Sequence, residues 1–379
     1  MAPLIRPGRQ ECPPHQSDLA ARVRPTSPLL ISPLLAYNSR ASGGLLDASL
    51  RNRLTFGPIM LVALLGLLYL DHYVQVRTRE MGMVRETDDR VLWSRYRESM
   101  ADKPKPATLP DNPPPINYGV AGVGLLVLLI FLLPLATAEV ARLFTAENVR
   151  PYRLISAAGS GSLVLHAFMT QFPVFQPVAA SVLAFIIVFV MLFAALRRAW
   201  SRQTQGAIVH MAGTVLSTLY LGGLGWFLMA LRVKHSFKAS GVQGSTMILV
   251  MILLVVKFTD IGAFFGGKAI GRHKLIFWLS PGKTWEGLAC GMFTAGVVGA
   301  VLARWINPPD YPLSWMKGFV FGVIIGGIGQ LGDLLESLMK RDADVKDSGK
   351  LVPGFGGVLD IIDSPLLASP FAYLLFSLF

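Results

Sequence analysis

The sequence predicts an all-α polytopic membrane protein, a bundle of about nine transmembrane helices. Apolar residues make up 53% of the 379-residue chain and charged residues only 15%, against about 25% charge in soluble globular chains. The mean hydropathy is +0.51. The few charges gather into segments that alternate with long apolar runs, the pattern of a chain that crosses a membrane repeatedly.

Residues 1–53 are rich in Pro, Arg and Ser, and their one apolar patch, at 29–36, is too short and too flanked by charge for a signal peptide. A disordered N-terminal tail is expected there. The first span is read at 54–70, after Arg51 and Arg53 and closed by Asp71. Residues 71–116 mix acids and bases and end in KPKPATLPDNPPP, which reads as a solvated extramembrane linker without chemistry. Further spans are expected at 118–138, 154–170, 178–196, 207–231, 246–262, 287–306, 315–331 and 364–379. Each is near the ~20 residues a helix needs to cross the hydrocarbon core. Residues 54–245 thus form an N-terminal group of transmembrane helices. Residues 246–379 form a C-terminal catalytic region with charged loops.

Orientation follows from the bases. Arg142, Arg150 and Arg153, then Arg197, Arg198 and Arg202, then Lys268, Arg272, Lys274 and Lys283, then Lys340, Arg341, Lys346 and Lys350 follow alternate spans. The segments near 171–177 and 307–314 carry no base. The base-rich loops are therefore expected on the cytoplasmic side. A net charge of +12 suits anionic lipid or anionic substrates. The bases form no stripe, which speaks against a nucleic-acid partner. Cys12 and Cys290 are too few and too distant for a disulfide framework or a metal knuckle.

Two loops carry the chemistry. In KFTDIGAFFGGKAIGRHKLIFWLSPGKTWE, Asp260 falls near the end of a span, where an ionised group is costly unless it has a task or a partner such as Lys257. Ser280-Pro281-Gly282-Lys283-Thr284 is not a P-loop, because Phe277 stands where the first glycine is required and no strand is expected before it. Lys283 remains a phosphate contact by charge, and His273 reads as a solvated loop residue.

The second loop is GGIGQLGDLLESLMKRDADVKDSGKLVPGFGGVLDIID. On a helix Asp333, Ser337, Lys340, Asp344 and Asp347 would share one face. Ser348-Gly349 would stop that helix, and Pro353-Gly354-Phe355-Gly356-Gly357 would make a tight turn. Asp360 and Asp363 follow one helical turn apart. Hard cations such as Mg²⁺ take oxygen ligands, commonly one or two carboxylates plus substrate phosphates. Asp333, Asp360 and Asp363 offer such oxygens, with Asp347 in reserve, and Lys340, Arg341 and Lys346 offer positive charge. Glu336 reads as an i,i+4 partner of Lys340.

These residues carry a resemblance. Ser337-Leu338-Met339-Lys340-Arg341, Lys346-Asp347-Ser348-Gly349, Gly356-Gly357-Val358-Leu359-Asp360 and Asp363 resemble the signature of the phosphatidate cytidylyltransferase (CDP-diacylglycerol synthase) family. TDIGAFFGGKAIGRHKL and SPGKTWEG are similar to a second stretch of that family. The likeness is dense over 257–370. It implies cytidylyl transfer from CTP to phosphatidate with release of pyrophosphate, in a homodimeric enzyme of the lipid bilayer. In a bacterium that would be the cytoplasmic membrane, with the site facing the cytoplasm. It further implies Mg²⁺, alone or with a second cation, on Asp333, Asp360 and Asp363. Lys340, Arg341 and Asp347 would be catalytic, and Asp260, Lys283, Ser337, Lys346, Gly356 and Gly357 would bind substrate. Phe355 stands where the family pattern has histidine, Ile361 where it has arginine, and Val352 where Leu, Ile or Phe is usual.

Three other readings share some of these features. A related CTP-dependent polyprenol kinase, or a cytidylyltransferase of another lipid phosphate, would share the nucleotide half. A transporter would call for inverted repeats, and no second copy of the charged loop is present. An inactive lipid-binding relative would account for Phe355 and Ile361.

Overall fold

The structure, a computed structural model, describes residues 42–84, 92, 93, 96, 97, 112, 117–146, 148–234, 246–306, 313–345, 347–349, 351 and 356–378. The chain divides into two compact units, Met1–Ala48 and Ser49–Phe379. The helices among the described residues, in chain order, are α1 (Ser42–Glu80), which begins in the first unit and continues into the second, α2 (Val123–Ala146), α3 (Arg153–Met169), α4 (Ala179–Trp200), α5 (Ala207–Thr218), α6 (Leu224–Val233), α7 (Thr246–Ile270), α8 (Trp285–Ile306), α9 (Trp315–Asp342) and α10 (Leu359–Leu378). A π-helical turn, Leu219–Gly223, joins α5 to α6. Among the described residues eight helical stretches are long and apolar enough to cross a membrane. The 17-residue α3 supplies the ninth helix expected from the sequence, so the all-helical polytopic bundle holds.

Small residues set the packing of the C-terminal half. Nothing in lipid drives helices together by the hydrophobic effect, so they associate where backbones approach closely. A Cβ on Gly291 of α8 would stand 2.7 Å from the Thr259 carbonyl of α7. A Cβ on Gly299 would run into the Gly318 carbonyl of α9. Bulk fills the space between α9 and α10, where the Phe321 and Phe376 rings meet at 4.8 Å between centroids.

Three sequence expectations change. The first helix is not confined to 54–70 but runs from Ser42 to Glu80, taking in the end of the expected tail and the start of the expected linker, while residues 1–41 lie outside the described residues. Asp71 is fully buried, its Oδ2 accepting from Arg232 Nε of α6 at 2.6 Å, and Arg232 Nη2 also donates to Gln75 Oε1 at 2.8 Å. An acid that looked like the end of a span is half of an interior ion pair. The second change is at α9, which stops at Asp342, so Asp344 and Asp347 do not share a helical face with Lys340. Asp344 takes a left-handed φ of 53°, a conformation that Asp tolerates better than most residues. Val345 N then donates to Lys340 O at 2.9 Å and Asp344 N to Arg341 O at 3.1 Å, a Schellman closure. The third is a two-stranded antiparallel hairpin, β1 (Lys274–Ile276) with β2 (Ser280–Thr284), where a loop was expected. Strands of three and five residues are too short to announce themselves by alternation.

Candidate active site

The site is built where α9 meets the start of α10. Gly332 makes the approach possible, since a Cβ there would lie 3.0 Å from Ser364 Cα. The next residue, Asp333, is thereby brought beside Asp363, and one helical turn on, Glu336 faces the same point. One carboxylate oxygen from each of Asp333, Glu336 and Asp363 lies within 4.8 Å of the others. Glu336 is 1% and Asp363 3% exposed. Glu336 Oε1 and Asp363 Oδ2 are buried with no hydrogen-bond partner among the described residues. Buried oxygens without donors are costly, and clustered acids repel one another. A divalent cation fits this donor set: hard oxygen ligands, converging, with unsatisfied lone pairs.

Lys340 closes one side. Its Nζ lies 3.1 Å from Glu336 Oε2 and donates to Asp360 Oδ1 at 3.0 Å. Asp360 in turn organises the loop before α10. Its Oδ2 accepts from Gly357 N at 2.7 Å and from Ser348 N at 3.3 Å. Gly356 adopts a φ of +95°, and a Cβ there would collide with Asp360 Oδ2, so the position demands glycine.

A second carboxylate holds the same loop from across the bundle. Glu139 of α2 is 2% exposed. It accepts from Val358 N at 3.1 Å, Leu359 N at 2.8 Å and Ser348 Oγ at 3.3 Å.

The hairpin closes the other side. Thr284 Oγ1 accepts from Gly287 N at 3.1 Å in the first turn of α8. Glu286 reaches back to Arg272 N at 3.1 Å and, at 2.6 Å, to His273 Nδ1, so His273 clamps the hairpin onto α8. This holds β2 so that Lys283 forms an ion pair with Asp333. Arg341 Nε points to the Leu279 carbonyl at 3.5 Å, joining hairpin to α9. Asp260 of α7 accepts from Gln330 Nε2 at 2.7 Å and lies 3.6 Å from Lys257.

The structure therefore brings together Asp333, Asp363, Asp360, Lys340 and Lys283 from the expected set. It assigns the third carboxylate of the converging trio to Glu336, with Asp360 occupied by Lys340 and by backbone amides. Ser337 is half-buried on α9, and Asp347 is exposed in the bend before the buried Ser348. Gly356 and Gly357 form the backbone against which Asp360 folds. Lys346, Val352 and Phe355 lie outside the described residues. Ile361 is half-buried in the first turn of α10.

Two side chains of this cluster escaped the sequence reading. Glu336 has an i,i+4 base, which accounted for it too easily. Glu139 immediately follows the predicted 118–138 span, and the rule that flagged Asp260, an ionisable group in an apolar run, would have flagged it as well.

The family model of the Cytidylyltransferase family matches residues 117–379. The chain belongs to that family and is an integral membrane protein. It is 40% identical over 145 residues to the phosphatidate cytidylyltransferase of Haemophilus influenzae, covering 38% of this chain and 50% of that one. Against the phosphatidate cytidylyltransferase of Bacillus subtilis it is 42% identical over 126 residues, 33% of this chain and 46% of that one. It is also 36% identical over 151 residues to the uncharacterized protein YnbB of Escherichia coli K12, 38% of this chain and 49% of that one. The chain spans about half the length of these curated relatives.

Proposed function

We propose that the chain transfers a cytidylyl group from CTP to phosphatidate, forming CDP-diacylglycerol and pyrophosphate. The observation that carries the reading is the convergence of Asp333, Glu336 and Asp363 beside Lys340 and Lys283, within a chain of the Cytidylyltransferase family. In the reaction a phosphatidate oxygen bonds to the α-phosphorus of CTP while the bond from that phosphorus to the bridging oxygen breaks, and pyrophosphate leaves with the electron pair. The attacking phosphate is largely ionised near neutral pH, so no dedicated base is needed.

The difficulty is electrostatic, because two polyanions must meet. Mg²⁺ held by Asp333, Glu336 and Asp363 would supply positive charge against the triphosphate and the leaving group. Lys283 and Lys340 bring ammonium groups to the two sides of the carboxylates, and Arg341 stands at the junction with the hairpin. Together they would hold the phosphates in line. Asp360 keeps Lys340 oriented. In this reading the protein works as a homodimer in the cytoplasmic membrane, with hairpin and site on the cytoplasmic side, as the placement of Lys and Arg supports.

The test is purified protein with CTP and Mg²⁺ and a panel of acceptors: phosphatidate, a polyprenyl phosphate and a polyprenol. Pyrophosphate release together with CDP-diacylglycerol from phosphatidate alone is expected. Nucleotidyl transfer only to the polyprenyl phosphate would keep the site and change the substrate. Phosphorylation of the polyprenol would replace the reaction by a kinase.

A further inference from the structure

The N-terminus of α10 has a feature that cytidylyl transfer does not by itself require. The first amides of any helix lack intrahelical acceptors, and the site is positively polarised. Such an end usually finds a cap in its own sequence or takes an anion. Here the amides of Val358 and Leu359 are taken by a carboxylate from a different membrane helix, 219 and 220 residues away. The same carboxylate accepts the Ser348 hydroxyl at 3.3 Å. Glu139 thus ties Ser348, within the segment between α9 and α10, and the head of α10 to α2.

The loop is shaped for this contact. A Cβ on Gly357 would stand 2.6 Å from Glu139 Oε2, and a Cβ on Gly349 would collide with Glu139 Oε1. Both positions let backbone close onto the carboxylate. The neighbouring amide, Gly357 N, goes to Asp360 at 2.7 Å, so two carboxylates divide the amides at the head of α10 between them. Asp360 is the residue after Leu359, and Asp363 lies one turn further along the same helix. Fixing the head of α10 therefore fixes where Asp363 meets Asp333 and Glu336.

We propose that Glu139 is a positioning residue of this site: by holding the head of α10 against α2, it sets Asp363 at ligand distance from Asp333 and Glu336. The inference rests on reading those three carboxylates as cation ligands. It assigns Glu139 no contact with substrate or cation. Groups that orient metal ligands from behind typically change affinity about 10- to 100-fold when removed.

Mn²⁺, which favours the same oxygen ligands, is a suitable probe of the full chain in detergent. Its binding is read by electron paramagnetic resonance, alongside hydrogen exchange over 356–360 and the thermal midpoint, for wild type, Glu139→Gln, Glu139→Ala and Ser348→Ala. We expect faster exchange at 357–359 and Mn²⁺ affinity about tenfold or more weaker in both Glu139 variants, with the folded state retained. Ser348→Ala, which removes one of the three contacts, should shift both readouts less and in the same direction. It carries the test if the Glu139 variants fail to fold. Unchanged Mn²⁺ affinity in a folded variant whose exchange has accelerated overturns the proposal and leaves the site reading standing. Wild-type protein that binds no Mn²⁺ overturns the site reading itself, and the proposal with it.

Discussion

Glu336 and Lys340 illustrate how a residue's role depends on its third neighbour. As a pair they are an ordinary i,i+4 contact, worth a few tenths of a kcal/mol on an exposed helix, about 0.2–0.5 kcal/mol. With Asp363 and Asp333 added, Glu336 becomes a buried acid in a cluster of acids, and Oε1 has no donor among the described residues. Glu336→Gln should therefore lower CDP-diacylglycerol formation about a hundredfold or more, the scale seen when one preorganised electrostatic group is removed. Asp363→Asn should cost as much, with helix content by circular dichroism unchanged in both. Near-normal rates in Glu336→Gln would return that residue to the role of a simple partner. Lys283→Ala removes one charge-assisted contact and should raise the KM for CTP about tenfold, measured by initial rates at saturating phosphatidate. Asp333, Asp360, Asp363, Lys340 and Lys283 were all legible in the sequence, because acids and bases are rare in this chain and cluster between spans. Glu139 could have been flagged as an ionisable group beside an apolar run, but not its partners, which lie more than 200 residues downstream where periodicity does not reach.

At the scale of elements, the long apolar helices were readable from length and hydropathy, whereas their ends were not. The expected 54–70 span and α1 differ at the C-terminal end because Asp71 looks like a boundary until Arg232 is seen against it. Both side chains are 1% exposed and 2.6 Å apart, and removing one would leave the other charged and buried. Asp71→Ala should destabilise the bundle by about 3–5 kcal/mol, read as a lowered unfolding midpoint in micelles. Arg232→Leu added to it should recover part of that loss, since no buried charge is then left unpaired. The end of α9 was misread for a different reason. Helical spacing continues in the sequence through Asp347, but a left-handed Asp344 closes the helix five residues early, and no pattern of side-chain types marks that. Gly332 carries the α9–α10 approach, so Gly332→Val should separate Asp333 from Asp363 and reduce turnover more than it lowers the unfolding midpoint.

Over the whole molecule, a membrane bundle is used to bring acids and bases from α7, the hairpin, α9 and α10 to one end, with α2 bracing them from behind. Small residues line the close α7–α8 and α8–α9 contacts, while the acids and bases of the site converge where the chain leaves the apolar runs. That arrangement suits the proposed reaction, whose lipid headgroup and water-soluble nucleotide must meet at a boundary. The most direct measurement follows CTP labelled at the α-phosphate, incubated with the purified full-length chain and phosphatidate, with Mg²⁺ or with EDTA, for wild type and Glu336→Gln. The account predicts label passing into CDP-diacylglycerol in step with pyrophosphate release, and losing both in EDTA and in the variant. Transfer that persists undiminished in EDTA and in Glu336→Gln would contradict it.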